Sequence, residues 1–217
     1  MPNWCNNNIT ITGPNKIINK IEKIVSEEGS EGNLLQYFYP MPKALEDTTA
    51  PLQKDATKEE KNKARANKIR YGHDSWYDWR VENWSTKWDI NDFYGVRVIG
   101  IGDDESEISF GFDSAWAPPI GAYDKFLEDN SNCSLKAYYH EGGCDFMGEW
   151  NNGIDDCYQP SDYNSESDFW KDGIGSTLDD LYGITESMAE YEADQEAKKE
   201  DVHEYTKGKA INIGEEV

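Results

Sequence analysis

The chain has 217 residues, which suits one domain of ordinary size with an appendage, or two small domains. Lysine and arginine number 21 against 43 aspartate and glutamate residues, so the formal net charge is -22. Such a surface repels nucleic-acid phosphates and anionic lipids and attracts basic protein surfaces, while an aromatic content of 13% argues against full disorder.

The chain begins with a predicted strand and an amphipathic helix. Residues 7–12 alternate polar and β-branched residues and end at Gly13-Pro14, which predicts a strand closed by a turn. Isoleucines then recur at helical spacing until Gly29 ends the pattern. Residues 34–42 are apolar but end in prolines, so we expect a short extended piece packed on the core, followed by a loop.

A helical insertion is predicted at about residues 43–90. From Lys58 the sequence is polar, basic and rich in good helix formers. The tryptophan-rich segment after His73 is also helical in spacing, because its apolar residues recur on one face.

The second half of the core region predicts a hairpin, a helix and two further strands. Residues 94–101 and 107–113 alternate around an acidic turn, a pattern typical of a hairpin. A helix after residue 119 and strands at 134–140 and from about 144 follow. This order predicts an α+β fold, a ferredoxin-like sandwich whose antiparallel sheet has helices on one face.

Composition changes after residue 152. Residues 151–217 carry 18 acidic and 5 basic residues, so this part has -13 of the total charge. We therefore divide the chain into a ferredoxin-like domain at 1–152 and, at 153–217, an acidic connector with a C-terminal helical extension.

Three stretches resemble the YubB ferredoxin-like domain family of phage and plasmid proteins. They are MPNWCNN at the start, NWSTKWD at 83–89 and FDSAWAPP at 112–119. The resemblance covers roughly residues 1–152, and the three motifs occur in the same order. It implies a ferredoxin-like domain encoded by a mobile element and located in a bacterial cytosol, and it implies no established reaction.

Two positions depart from the family pattern. Ser85 stands where the family usually has glycine, and Ser114 stands where it often has threonine. The acidic region beyond about residue 153 is not explained by the resemblance.

The tryptophan-rich motif is the first candidate binding site. An aromatic pocket containing one lysine would suit stacking of a base or nucleotide. The competing interpretation is a packed core layer whose lysine and aspartate form a salt bridge, since buried tryptophan is mainly a packing residue. The candidate residues are Trp76, Trp79, Trp84, Lys87, Trp88, Asp89 and Trp116.

No local signature of catalysis or metal binding is present in the sequence. The three histidines lie outside known catalytic motifs, and a Cys144–His140 nucleophile pair is disfavoured by the Gly-Gly turn between them. The four cysteines are not at zinc-site spacing, and we expect reduced thiols in a cytoplasm. The sequence also lacks an export signal and any long apolar run, so we expect no membrane contact. Because it lacks catalytic and phosphate-binding motifs, we also expect no cofactor and no enzymatic activity.

The acidic excess is the second candidate surface. Rows of carboxylates on a rigid scaffold could imitate the phosphates of DNA and occupy a basic groove on a host protein, with plain solubility as the alternative. The candidate residues are Asp103, Asp104, Glu105, Asp179, Asp180, Glu190, Glu192 and Asp194.

Two functions therefore remain open at this point. The first is a non-enzymatic accessory protein that binds and inhibits or redirects a host protein with a basic surface, for example as a defence antagonist. The second is a protein that binds or sequesters a small ligand such as a nucleotide in the tryptophan-rich pocket, whereas nucleic acid itself is disfavoured by the charge.

Overall fold

The computed structural model describes residues 3–26 and 33–213, with side chains as far as residue 199. The chain forms two compact units, Met1–Tyr158 and Gln159–Val217. The first unit contains a six-stranded antiparallel sheet in the order β2-β3-β1-β4-β5-β6. Its strands are β1 (Trp4–Pro14), β2 (Tyr94–Gly100), β3 (Glu105–Ala115), β4 (Ser134–Glu141), β5 (Phe146–Asn151) and β6 (Ile154–Tyr158).

Strand β1 lies in the interior of the sheet, between β3 and β4, and its side chains are alternately buried and half-buried. It pairs with β3 through residues such as Ile9 and Phe110, and with β4 on its other side. Alternate residues of β1, including Ile9 and Ile11, are buried. The residues between them, such as Thr10, point to the other face of the sheet and are only half-buried. This period of two places one face against the core.

Helices cover the buried face of the sheet in the first unit. Amphipathic α1 buries Ile18, Ile21 and Val25. Aromatic rings fill the space beneath α6, where the Phe38 and Phe126 ring centroids are 4.5 Å apart. The helices of this unit are α1 (Asn15–Ser26), α2 (Leu34–Phe38), α3 (Lys43–Glu46), α4 (Lys58–Tyr71), α5 (Trp76–Trp84) and α6 (Ile120–Asp129).

The mixed α+β class with an antiparallel sheet is confirmed, but one predicted element is wrong. The segment predicted as extended contains helix α2, whose buried residues Leu34, Leu35 and Phe38 follow helical spacing. The prolines that suggested an extended piece lie after this helix, at Pro40 and Pro42.

The second unit consists of two short 3-10 helices, Pro160–Asp162 and Asp168–Trp170, followed by α7 (Gly173–Tyr182) and α8 (Ile184–Ile213). Gly183 separates α7 from α8 with a φ of 61°, a left-handed conformation that ends the first helix. The residues at 154–158, which the sequence analysis assigned to an acidic connector, form the edge strand β6 because they pair with β5. The predicted C-terminal extension runs to residue 217, and its residues 214–217 lie outside the described part of the chain.

No helix in the described part of the chain is both long enough and apolar enough to cross a membrane.

Candidate functional site

The candidate site lies at one end of the sheet, where three separate segments of the chain meet. Trp4 begins β1 and pairs with Ala115 at the end of β3. The backbone N–H of Trp116 donates to the Asn3 oxygen at 2.9 Å, which holds these two segments together. The third segment is the loop after α5, and its Thr86 hydroxyl donates to the Ala115 oxygen at 2.8 Å.

The loop after α5 is fixed by a left-handed residue. Ser85 has a φ of 66°, and its hydroxyl accepts a hydrogen bond from the backbone N–H of Gly121 at 3.1 Å. A positive φ is the left-handed conformation that glycine adopts most readily, and here it is adopted by a serine. The turn brings Lys87 and Trp88 to the end of the sheet.

Lys87 lies among aromatic rings. Its Nζ is 4.4 Å from the ring centroid of Trp88 and 5.1 Å from that of Trp116, with Tyr77 at 5.9 Å. These distances fall within the range of cation–π attraction. Among the residues whose side chains are described, Lys87 forms no ion pair, so its contacts are aromatic rather than the salt bridge with Asp89 considered above.

A groove of about 200 Å³ adjoins Trp88. Trp4 and Trp88 contact each other with ring centroids 5.9 Å apart, and 49% of Trp4 is exposed to solvent. Apart from Ile90 and Ala115, the remaining residues that line the groove are polar: Asp89, Asn91, Asp113 and Ser114. The groove thus combines indole faces with carboxylates, and we call it the tryptophan groove, defined by Trp4, Trp88, Asn91 and Asp113.

Trp116 has an unusual backbone conformation for a bulky residue. Its φ is 71°, and 38% of the residue is exposed. The left-handed region is costly for residues other than glycine, asparagine and aspartate, and such strain is concentrated at functional sites. The conformation is held by the bond to Asn3 on one side and by the Ser114 hydroxyl, which donates to the Ala117 oxygen at 2.7 Å, on the other.

Two of the predicted tryptophans lie in the core instead of at this surface. Trp84 is fully buried, and its indole N–H donates to the Tyr39 oxygen at 2.8 Å. Trp79 is also buried and packs edge-on against Trp84 at 5.8 Å. We leave both out of the candidate site because neither offers a surface to a ligand.

Trp76 belongs with this buried pair rather than with Lys87. It is half-buried, and the guanidinium of Arg80 lies 5.2 Å from its ring centroid and 4.7 Å from that of Trp84. The predicted tryptophan group is thus divided between a core layer around Arg80 and an exposed cluster around Lys87.

Asp89 has a clear structural role beside the groove. Its carboxylate accepts hydrogen bonds from the backbone N–H groups of Leu35, Gln36 and Ile90 at 2.7, 3.0 and 2.8 Å. Burial nevertheless raises the pKa of Asp89 to about 6, because removal of the carboxylate from water outweighs these bonds. The side chain thereby links the groove loop to the start of α2.

The acidic candidates fall into two separate groups. Asp103 and Asp104 are exposed in the turn between β2 and β3, and Glu105 is exposed at the start of β3, all in the first unit. The other five lie in the second unit on α7 and α8: Asp179, Asp180, Glu190, Glu192 and Asp194.

Three of the carboxylates in the second unit already have partners within it. Asp179 accepts hydrogen bonds from the backbone N–H and hydroxyl of Thr185, both at 2.7 Å. Glu192 binds the Ser165 hydroxyl, and Asp194 pairs with Lys198. Asp180 and Glu190 are exposed, so these two are the members of this group most available to a partner.

Cys144 is not arranged as a nucleophile. Its Sγ accepts a hydrogen bond from Asn3 Nδ2 at 3.4 Å, and an interaction with Glu141 raises the pKa of the thiol. A raised pKa leaves the unreactive thiol form dominant, which is the opposite of activation. Among the described residues, no three histidine, cysteine or acidic side chains are grouped so that they could hold a metal ion.

Trp4, Asn91 and Asp113 were not among the predicted site residues. Trp4 and Asp113 do lie within two of the motifs quoted above, so a signal for them was present. Asn91 lies two residues after the end of the second motif but carries no pattern of its own, and only the path of the loop places it in the groove.

Comparison with known proteins gives one distant structural similarity. No family model matches the chain, and no curated protein matches it. A crystal structure of protein api92 from Yersinia pseudotuberculosis, assigned to the family model DUF1281, is similar with a TM-score of 0.38 and 12% sequence identity. The similarity covers 73% of this chain and 98% of that one.

Proposed function

We propose that the chain is a non-enzymatic accessory protein of a phage or related mobile element. In this proposal it acts in the bacterial cytoplasm, where it binds a host protein with a basic surface and inhibits or redirects it. The observation that carries the proposal is the tryptophan groove, in which the exposed indole of Trp4, the half-buried indole of Trp88 and a carboxylate lie together on a chain of net charge -22. Exposed aromatic residues are typical anchors of protein interfaces.

We further propose that the first unit is a ferredoxin-like domain with an added edge. The order β2-β3-β1-β4, with α1 following β1 and α6 following β3, matches the split β-α-β arrangement of that fold. Strands β5 and β6 extend the sheet beyond β4. The three motifs that resemble the YubB family provide Trp4, Trp88 and Trp116, which supports a shared binding surface.

The negative charge of the protein would attract the basic partner before the two proteins come into contact. Carboxylates spread over a surface raise the rate at which a basic partner is captured, and salt weakens this attraction. Asp103, Asp180 and Glu190 are exposed and suited to this role. The acidic extension at 159–217 would act as a mimic of nucleic-acid charge, whereas the groove would give specificity.

Site-specific photo-cross-linking in a bacterial lysate tests this proposal. A photoreactive phenylalanine analogue at Asn91 places the probe in the groove. The same analogue at Leu52, which is 38% exposed, is the control. We expect a discrete adduct from position 91 that disappears at high salt and in Trp88→Ala. Identical adducts from both positions, or no adduct from position 91, would contradict the proposal.

A nucleotide ligand is the second candidate, and Lys87 is the specific observation that favours it. Its Nζ lies between Trp88 and Trp116 at 4.4 and 5.1 Å, so a base could stack on an indole while a phosphate meets the ammonium. Titration of tryptophan fluorescence with a nucleotide panel is the measurement. Lys87→Gln should abolish a response that Lys136→Gln, a surface lysine near the Tyr138 ring, leaves intact.

A further inference from the structure

We infer that the tryptophan groove binds one arginine side chain of the partner, with the guanidinium against the indoles and the Asp113 carboxylate. This inference rests on the proposed function, because it names the group by which a basic partner would be recognised.

The size of the groove suits a single side chain. Pockets for drug-sized molecules and cofactors usually measure roughly 300–1,000 Å³. The groove has about 200 Å³, which is room for a single long side chain. A complete nucleotide would not fit inside it, so the nucleotide considered above would have to use Lys87 outside the groove.

The charge of the groove selects a cation. Asp113 is exposed, and its Oδ1 accepts a hydrogen bond from Asn6 Nδ2 at 2.7 Å, which fixes the carboxylate. Its other oxygen receives no hydrogen bond from the described residues. Asp89 also lines the groove, but its two oxygens are already bound by backbone N–H groups. Asp113 is therefore the acceptor available to an incoming donor.

The aromatic walls favour guanidinium over ammonium. Trp4 and Trp88 are both accessible in the groove, and planar guanidinium stacks on indole while it donates two hydrogen bonds to a carboxylate. The protein uses the same chemistry in its core, where Arg80 lies against the rings of Trp76 and Trp84. Trp88 itself already attracts the Lys87 ammonium, which shows that its ring attracts a cation.

Titration of the full chain with a short arginine peptide tests this inference. The probe is a capped Gly-Arg-Gly peptide, and the neutral control replaces arginine by citrulline, which has nearly the same shape. The readout is the NMR signal of each indole N–H, assigned with Trp4→Phe and Trp88→Phe. We expect saturable shifts at Trp4 and Trp88 with arginine, weaker shifts with a lysine peptide and none with citrulline.

A pair of matched variants isolates the carboxylate. Asp113→Asn should weaken arginine binding at least tenfold, because the neutral amide loses the charge-assisted bonds. Asp156→Asn removes the same charge from the exposed edge strand β6 and should leave binding unchanged. Equal binding of arginine and citrulline, equal binding by the two variants, or tighter binding of lysine would overturn the inference.

Failure here can be told apart from failure of the proposed function. A partner that cross-links at position 91 and is lost in Trp88→Ala, yet is retained in Asp113→Asn, would overturn the arginine inference and leave the proposed function standing. Arginine binding by the groove together with no cross-linked partner would support the inference and contradict the proposed function.

Discussion

The carboxylate of Asp89 accepts a hydrogen bond from the backbone N–H of Leu35, 54 positions earlier in the chain, with 2.7 Å between the Leu35 nitrogen and Asp89 Oδ1. The bond ties the loop that carries Lys87 and Trp88 to the first turn of α2. Asn33, which precedes α2, makes no side-chain cap of its own, so Asp89 supplies the acceptor that the helix start needs. One residue thus serves both helix α2 and the groove.

Stability should depend on pH through Asp89. Burial raises its pKa from 3.8 to about 6, so between these values the folded state binds a proton that the unfolded chain releases. The free energy of unfolding should therefore decrease as the pH rises from about 4 to 6, by about 3 kcal/mol from this residue.

Urea denaturation of wild type and Asp89→Asn across pH 4 to 8 measures this effect. We expect the difference in unfolding free energy between the two proteins to change across this interval, since the amide cannot titrate. Asp92→Asn, an exposed neighbour, is the control and should follow wild type. A difference that stays constant with pH would show that Asp89 keeps an ordinary pKa.

Trp84 and Trp88, four residues apart, should respond very differently to truncation. Trp84→Ala leaves a cavity in the core and an unpaired Tyr39 oxygen, so we expect a loss of about 3–5 kcal/mol. Trp88→Ala removes a half-buried ring at the surface and should cost about 1 kcal/mol. Chemical denaturation of both variants measures the difference, and equal losses would mean that Trp88 is also a core residue.

Alternation in the strands could be predicted from the sequence because its cause is local. Residues 7–12 and 107–113 alternate since one face of the sheet is buried, and both stretches are strands in the structure. Helix α2 was missed because its five residues are too few to show a period. Its stability comes partly from Asp89, and no local pattern reveals so distant a contact.

The tryptophan site could be predicted only in part for the same reason. Trp84 and Trp88 belong to one motif, and the sequence does not show that the left-handed turn at Ser85 separates them. Trp84 ends α5 inside the core, whereas Trp88 reaches the end of the sheet. The neighbours of Trp88 are Trp4 and Trp116, and their proximity follows from the pairing of β1 with β3.

Trp116 should show strain that glycine relieves. A left-handed conformation costs roughly 1–2 kcal/mol for a residue with a Cβ, and its φ is 71°. Trp116→Gly should therefore be about 1 kcal/mol more stable than Trp116→Ala, measured by urea denaturation. At the adjacent Ala117, which does not have a positive φ, glycine should be less stable than alanine. If the glycine variant were less stable than the alanine variant at both positions, the backbone at Trp116 would not be strained.

The second unit should be sensitive to a single methyl group at Gly175. A Cβ at this position would clash with the backbone oxygen of Phe169, so α7 could not keep its approach to the 3-10 helix at Asp168–Trp170. The clash is with backbone, which cannot rotate away, and we expect Gly175→Ala to cost more than about 2 kcal/mol locally. Hydrogen exchange of the α7 amides measures the loss. Asp180→Ala, on the exposed side of α7, should leave their protection unchanged, and protection equal to wild type in Gly175→Ala would show that the two helices are not in close contact.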